Sequence, residues 1–171
     1  MPRAAMNFNL TDATLTESLG RGMAHAFPGA PLKGAVVHLQ GELGAGKTLC
    51  VRSLLRALGV TGPVRSPTYT LLDTYAIGAL TCIHVDLYRL QSLSEVEELG
   101  LRDLLLPATL LLIEWPERGF GALPPADLNV LLRYVGEGRQ AHLTGTTPLG
   151  VSWVEKLGRD NSLLPYVFNL T

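Results

Sequence analysis

The chain is short of several things, and each shortage removes a class of protein. It has two cysteines, Cys50 and Cys82. They fall outside any metal-ligand spacing, so neither a disulfide framework nor a cysteine metal centre is expected. Two buried, small apolar residues are expected instead. No apolar run approaches the ~20 residues that cross a bilayer, and the first residues lack the apolar core of a signal peptide. A cytoplasmic chain with no membrane association is the expectation. An excess of one charge is also missing. Fourteen Lys and Arg face fifteen Asp and Glu, for a formal net charge of −1. A broad basic footprint for nucleic acid is therefore excluded, and any such contact must be local or made through a partner. Lysine is scarce, with three against eleven arginines. No N-K-x-D string occurs, which counts against a guanine-specific nucleotide site.

What is present is a compact composition. The 171 residues are 47% apolar and 17% charged, enough for one domain with a real core. Within it, Gly41-Glu42-Leu43-Gly44-Ala45-Gly46-Lys47-Thr48 satisfies G-x-x-x-x-G-K-[ST]. Ala35–Gln40 before it has the make-up of a buried strand, and the eleven residues after it carry apolar positions at helical spacing. A strand turning into a helix through glycines directs backbone N–H groups and the positive helix end at one point, which suits a polyphosphate. Lys47 is placed to reach the β- and γ-phosphate oxygens and the Thr48 hydroxyl to ligate Mg²⁺. The stretch therefore implies binding of a nucleoside triphosphate.

The remaining pattern predicts an α/β fold of the P-loop NTPase type, its mixed sheet parallel at the centre, antiparallel at the margins and flanked by helices. Met6–Leu10 is expected as an edge strand. A helix follows to about His25, opened by Thr11-Asp12 or, two or three residues later, by a Thr14/Glu17 capping box. Pro28-Gly29-Ala30-Pro31 breaks the chain. Tyr69–Ala76 and Ala79–Leu87 are expected as a hairpin turning at Ile77-Gly78. Ser94-x-x-Glu97 is expected to open a short helix. Leu101–Leu106 is a further helical turn closed by Pro107, and Thr109–Glu114 is a strand buried on both faces. Asp127–Val135 and Gln140–Thr146 form an antiparallel pair around Gly136-Glu137-Gly138. Residues 1–147 are taken as the phosphate-loop (P-loop) domain. Residues 148–171 are a C-terminal tail, helical at most to Leu157 and unassigned beyond Gly158.

Hydrolysis needs an acid near the metal and an oriented water. Glu114 ends the apolar strand Leu110-Leu111-Leu112-Ile113, where a metal-directed carboxylate belongs. Asp86, on one strand face with His84 and Tyr88, is suited to holding a metal-bound water or to orienting the attacking one. His84 is taken as a hydrogen-bonded structural residue. Tyr88 and Arg89 fit a contact surface or the core equally. Ser66-Pro67-Thr68-Tyr69-Thr70 is a polar loop stiffened by Pro67. A loop after the phosphate-loop helix is where other nucleotide switches sense the γ-phosphate. Lys47, Asp86 and Glu114 are the catalytic candidates, and Thr48 and Glu114 the metal candidates. Arg65, Arg89 and Arg118 are open choices for stabilising transition-state charge.

GELGAGKT, then SPTYTL, HVDLYRL and LLIEWPERG, in that order, resemble the TsaE (YjeE) family of ATPases in bacterial tRNA threonylcarbamoyladenosine biosynthesis. The resemblance runs from Asn9 to about Thr146. It implies ATP and Mg²⁺, with the loop residues Glu42, Leu43, Gly44, Ala45, Gly46, Lys47 and Thr48 on the nucleotide and Trp115 beside it. By position, Asp12 or its neighbour Thr11, together with Gly138, would approach the adenosine part. It further implies an ATPase slow on its own that works with the TsaB–TsaD pair. That pair modifies adenosine 37 of tRNAs reading ANN codons, so tRNA is an indirect partner. Hydrolysis then resets the partner and does not supply the transferred group. Two other classes share the loop: a small-molecule kinase, which needs an arginine-bearing lid that is not evident here, and a nucleotide-gated binding switch without useful catalysis.

Overall fold

The computed structural model describes residues 3–29 and 33–168. One eight-stranded sheet runs through it, formed by β1 (Ala4–Leu10), β2 (Ala35–Gly41), β3 (Leu72–Ile77), β4 (Leu80–Asp86), β5 (Thr109–Glu114), β6 (Leu128–Val135), β7 (Gly138–Gly145) and β8 (Val167–Phe168). Their spatial order is β3-β4-β5-β2-β6-β7-β1-β8. The pairs β4–β5, β5–β2 and β2–β6 are parallel. The outer pairs β3–β4, β6–β7, β7–β1 and β1–β8 are antiparallel. The expected architecture, parallel at the core and antiparallel at the margins, is the one observed.

Burial explains the arrangement. Every residue of β5 is buried, as a central strand covered on both faces requires. β6 alternates buried and half-buried positions until its outer end, where it projects into solvent. Each sheet face has its own core. On one face, α1 (Ala13–Ala26), α2 (Lys47–Leu58) and α4 (Pro148–Leu157) pack Leu19, Met23, Leu54, Leu55 and Trp153 onto Val37, Leu39, Leu110 and Leu112. On the other, Val36, Ile83, Val85, Leu111 and Ile113 meet Val96 of α3 (Leu93–Glu98) and Leu101. Cys50 and Cys82 are free and buried, their thiols pushed up to about 12 by burial.

Several expected boundaries shift. α1 is capped by Asp12, whose carboxylate accepts from Leu15 N at 3.0 Å, so Thr14 and Glu17 lie inside the helix and form no capping box. α3 begins two residues earlier than expected, through a capping box of Ser92 and Glu95. The hairpin turns at Gly78-Ala79, because Ile77 pairs with Leu80. Of the break at Pro28–Pro31, Ala30 and Pro31 lie outside the described residues. The segment from Pro148, set apart by sequence as a tail, contributes to the main core. α4 starts with Pro148 behind the Thr147 cap, and its Trp153 and Leu157, with Leu163 after it, are buried. Val167 and Phe168 then pair with Phe8 and Asn7.

Candidate nucleotide-binding site

β2 delivers the chain to the sheet's carboxyl edge, and residues 41–46 fold back there to start α2. Gly46 is the N-cap of α2, with φ 106°. An L side chain rarely takes that φ, and a Cβ at Gly46 would stand 3.1 Å from Thr16 Cγ2. The glycine is therefore what lets the loop close against α1. The Lys47 ammonium is turned back across the loop, donating to the carbonyls of Gly41 (2.6 Å) and Glu42 (2.8 Å). It also lies 4.0 Å from the centroid of the Trp115 ring. Desolvation lowers its pKa, opposed by the charges of Glu114, Glu117 and Asp86.

Two acids face this loop from adjacent parallel strands, because Asp86 and Glu114 are register partners at the ends of β4 and β5. Glu114 receives the Thr48 hydroxyl at 3.0 Å on each carboxylate oxygen. Its Oε1 also lies 2.7 Å from His84 Nε2 in a fully buried pair. Asp86 holds the polar loop: its Oδ2 accepts from Ser66 (2.8 Å) and Thr68 (2.9 Å), and its Oδ1 accepts from Tyr88 N (2.9 Å). The next residue after Glu114, Trp115, takes φ 58° and ψ 47°. For a bulky residue that conformation carries strain of about 1–3 kcal/mol. It turns the indole towards Lys47 and against Tyr88, 4.9 Å between ring centroids.

These groups line a cavity of about 420 Å³, together with Ala13, Thr16 and Arg139. That volume suits a small-molecule site. Of the residues chosen from sequence, Leu43, Gly44, Gly46, Lys47, Thr48, Asp86 and Glu114 reach its wall. Glu42 and Ala45 belong to the loop but not to the wall. Thr11, Asp12 and Gly138 stand one step behind it. Asp12 is engaged as the α1 cap, and Gly138 packs on Thr11, where an added Cβ would lie 3.2 Å from Thr11 Cα. Their neighbours Ala13 and Arg139 are the ones in the wall. Of the three candidate arginines, Arg89 stacks over Tyr69, Arg118 lies over Tyr88 and Arg65 is exposed.

The site also has members that sequence reasoning passed over. The β6–β7 hairpin leans on the phosphate loop: Tyr134 donates its hydroxyl to Leu43 O at 3.2 Å, and Arg139 Nη2 donates to Gly44 O at 3.1 Å. Arg139 Nε and Thr16 Oγ1 are buried at the cavity without a hydrogen-bond partner among the described residues. Unpaired buried polar atoms are costly, so both fit a polar ligand in the cavity. His84, taken as structural, is the partner that fixes Glu114. For Mg²⁺ the donor set is a hydroxyl and a carboxylate converging from two elements, which fits an ion that keeps several of its waters.

A model of the threonylcarbamoyl adenosine biosynthesis protein TsaE family matches residues 10–141. The tRNA threonylcarbamoyladenosine biosynthesis protein TsaE of Haemophilus influenzae is 44% identical over 118 residues, covering 69% of this chain and 75% of its own. The protein of the same name from Synechocystis is 40% identical over 122 residues, covering 69% and 74%. The crystal structure of Bacillus subtilis YdiB superposes with a TM-score of 0.74 at 25% identity, over 93% of this chain and 97% of that one. The chain belongs to the TsaE family of tRNA threonylcarbamoyladenosine biosynthesis proteins.

Proposed function

We propose that the chain is a Mg²⁺-dependent ATPase subunit serving threonylcarbamoyladenosine formation at position 37 of tRNAs reading ANN codons, in partnership with a TsaB–TsaD pair. The observation that carries the reading is the meeting of Thr48 and Glu114: the first helical turn after the phosphate loop supplies a hydroxyl 3.0 Å from a strand-end carboxylate. That is the protein's share of a metal site for a nucleotide held by the loop.

In this reading the loop amides and Lys47 hold the β- and γ-phosphates. Lys47 exchanges its bonds to Gly41 O and Glu42 O for phosphate oxygens, and its ammonium offsets the charge spread over them in the transition state. Thr48 and Glu114 would hold Mg²⁺, which when bound neutralises β- and γ-phosphate charge. His84 keeps the Glu114 carboxylate aimed. Asp86 already accepts three hydrogen bonds of the roughly four a carboxylate can take. Its remaining capacity suits it to orient one water. The Ser66–Thr68 loop hangs from the other oxygen of the same carboxylate, so a change at Asp86 is felt in a loop next to the γ-phosphate position. Such a linkage suits a subunit whose hydrolysis resets a partner. A cytoplasmic setting accords with this work.

The test is phosphate release from ATP by the purified chain, alone and with a TsaB–TsaD pair, in Mg²⁺ and in excess EDTA. Metal-dependent release that rises with the pair is expected, together with rescue of tRNA modification in cells lacking the chain. Transfer of the γ-phosphate to a metabolite, with no free phosphate formed, would favour the small-molecule kinase instead.

A further inference from the structure

Away from the cavity, α1 and α2 make a second feature that the ATPase reading leaves unused. The two helices touch at Gly20, where a Cβ would come within 2.4 Å of Cys50 O and 2.8 Å of Ser53 Cβ. This close approach brings their outer side chains to one groove, lined by Glu17, Arg21, Arg52, Ser53, Arg56 and Ala57. Three arginines line it, and none has a carboxylate within 4.0 Å: the single ion pair among the described residues is His84 with Glu114. Arg52 spends its Nε on Val64 O (3.1 Å) and Arg21 an Nη2 on the Ser18 hydroxyl (2.8 Å). No hydrogen bond engages the Arg56 guanidinium among the described residues. The near-neutral total charge conceals this, because the opposite sheet face carries Glu95, Glu97 and Glu98 on α3.

Three arginines against one glutamate, none of them in ion-pair range of a carboxylate, leave the groove net positive and suited to a polyanion, and arginine forks match phosphate oxygens two at a time. The groove's other lining residues decide which polyanion. Ser53 and Ala57 bring no large apolar side chain to grip a peptide residue. Glu17, half-buried among the arginines, cannot accept a phosphate but can accept a hydrogen bond from a ribose 2′-hydroxyl. We infer that the α1–α2 groove binds the ribose-phosphate backbone of RNA, with Arg21, Arg52 and Arg56 on successive phosphates and Glu17 on the intervening sugar. The site is separate from the nucleotide cavity and stands whether or not the chain hydrolyses ATP.

The experiment is fluorescence anisotropy with a labelled RNA hairpin and its DNA counterpart, titrated at several salt concentrations. Three phosphate contacts give a log K against log salt slope of about −2 to −3. The double variant Arg21→Gln/Arg56→Gln changes two exposed side chains and leaves Arg52 to hold Val64. It is expected to weaken RNA binding about 10- to 100-fold at low salt and to flatten the slope by about 2. Glu17→Gln is expected to narrow the preference for RNA over DNA. An unaltered melting temperature and unaltered phosphate release keep the comparison clean. The inference is overturned if the double variant binds the hairpin as the parent does, or if the parent binds DNA equally well. Displacement of the RNA by poly-glutamate at equal charge concentration also overturns it, in favour of an acidic protein segment.

Discussion

Thr48 and Glu114, sixty-six residues apart in sequence, meet with the hydroxyl 3.0 Å from both carboxylate oxygens. The contact ties the start of α2 to the end of β5. Glu114→Gln keeps the side chain's size and one accepting oxygen, replaces the other with an amide NH2, and removes the charge a divalent ion requires. Phosphate release by this variant is expected to fall about 100-fold or more, with the melting temperature close to the parent's. A magnesium titration of nucleotide binding checks the cause: the variant should need at least ~10-fold more metal. Undiminished turnover in the presence of a TsaB–TsaD pair would remove Glu114 from the metal site.

His84 is expected to act through Glu114 as a positioning residue. Its Nε2 is 2.7 Å from the carboxylate, and the ring is fully buried. His84→Gln keeps a donor and should retain most activity. His84→Phe leaves Glu114 short of a partner, at a cost of about 1–3 kcal/mol in stability. It should also shift the Mg²⁺ requirement upward. Loss of stability without any change in the metal requirement would make His84 purely structural.

Asp86 tethers a loop at the cavity wall. Its Oδ2 accepts both the Ser66 and Thr68 hydroxyls. Asp86→Ala is expected to free the 66–70 loop, so amide hydrogen exchange there should accelerate along with the loss of phosphate release. Ser66→Ala/Thr68→Ala separates the two effects, because it frees the loop while leaving the carboxylate. Fast exchange in Asp86→Ala but parent-like exchange in the double variant would show that the hydroxyls do not tether the loop.

The parts of this site that sequence made legible are those with a local signature. The glycine loop, the apolar run ending at Glu114 and the alternation placing Asp86 and His84 on one face all lie within a few residues of the chain. Where local patterns repeat, sequence alone cannot choose. Ser92-x-x-Glu95 and Ser94-x-x-Glu97 are the same capping pattern two residues apart, and the first is used. That register puts Val96, 1% exposed, into the core with Leu101. Burial, a long-range property, decides between them. Arg139 and Tyr134 escaped for the same reason. Their contacts with Gly44 and Leu43 span ninety-five and ninety-one residues, and no local pattern says that a hairpin will fold over the loop. The two residues of β8 are too few to show any period.

His38 gives a pH dependence with a definite sign. It lies on β2, half-buried, with Nε2 3.1 Å from Pro124 O. Desolvation lowers its pKa below the ordinary 6.5, outweighing the hydrogen bond that raises it. The unfolded chain therefore binds a proton more readily than the folded one. Stability from this group is present above the ordinary pKa and is lost as pH falls towards the lowered folded value. Urea denaturation between about pH 7 and pH 5 should show the parent losing stability faster than His38→Gln. Parallel curves for the two proteins would contradict the assignment.

The two tryptophans supply a test of the proposed nucleotide binding. Trp153 is fully buried and donates its Nε1–H to Met23 O at 2.8 Å. Trp115 is half-buried in the cavity wall, with the Lys47 ammonium over its ring and Tyr88 against it. A nucleotide that draws Lys47 onto its phosphates withdraws a positive charge from the indole face, which changes the emission of that residue alone. Addition of ATP with Mg²⁺ is therefore expected to alter the fluorescence of Trp153→Phe as it does the parent's, and to leave Trp115→Phe silent. A response carried by Trp153 would mean that the nucleotide acts on the α1–α4 packing and does not enter the loop between Gly41 and Thr48.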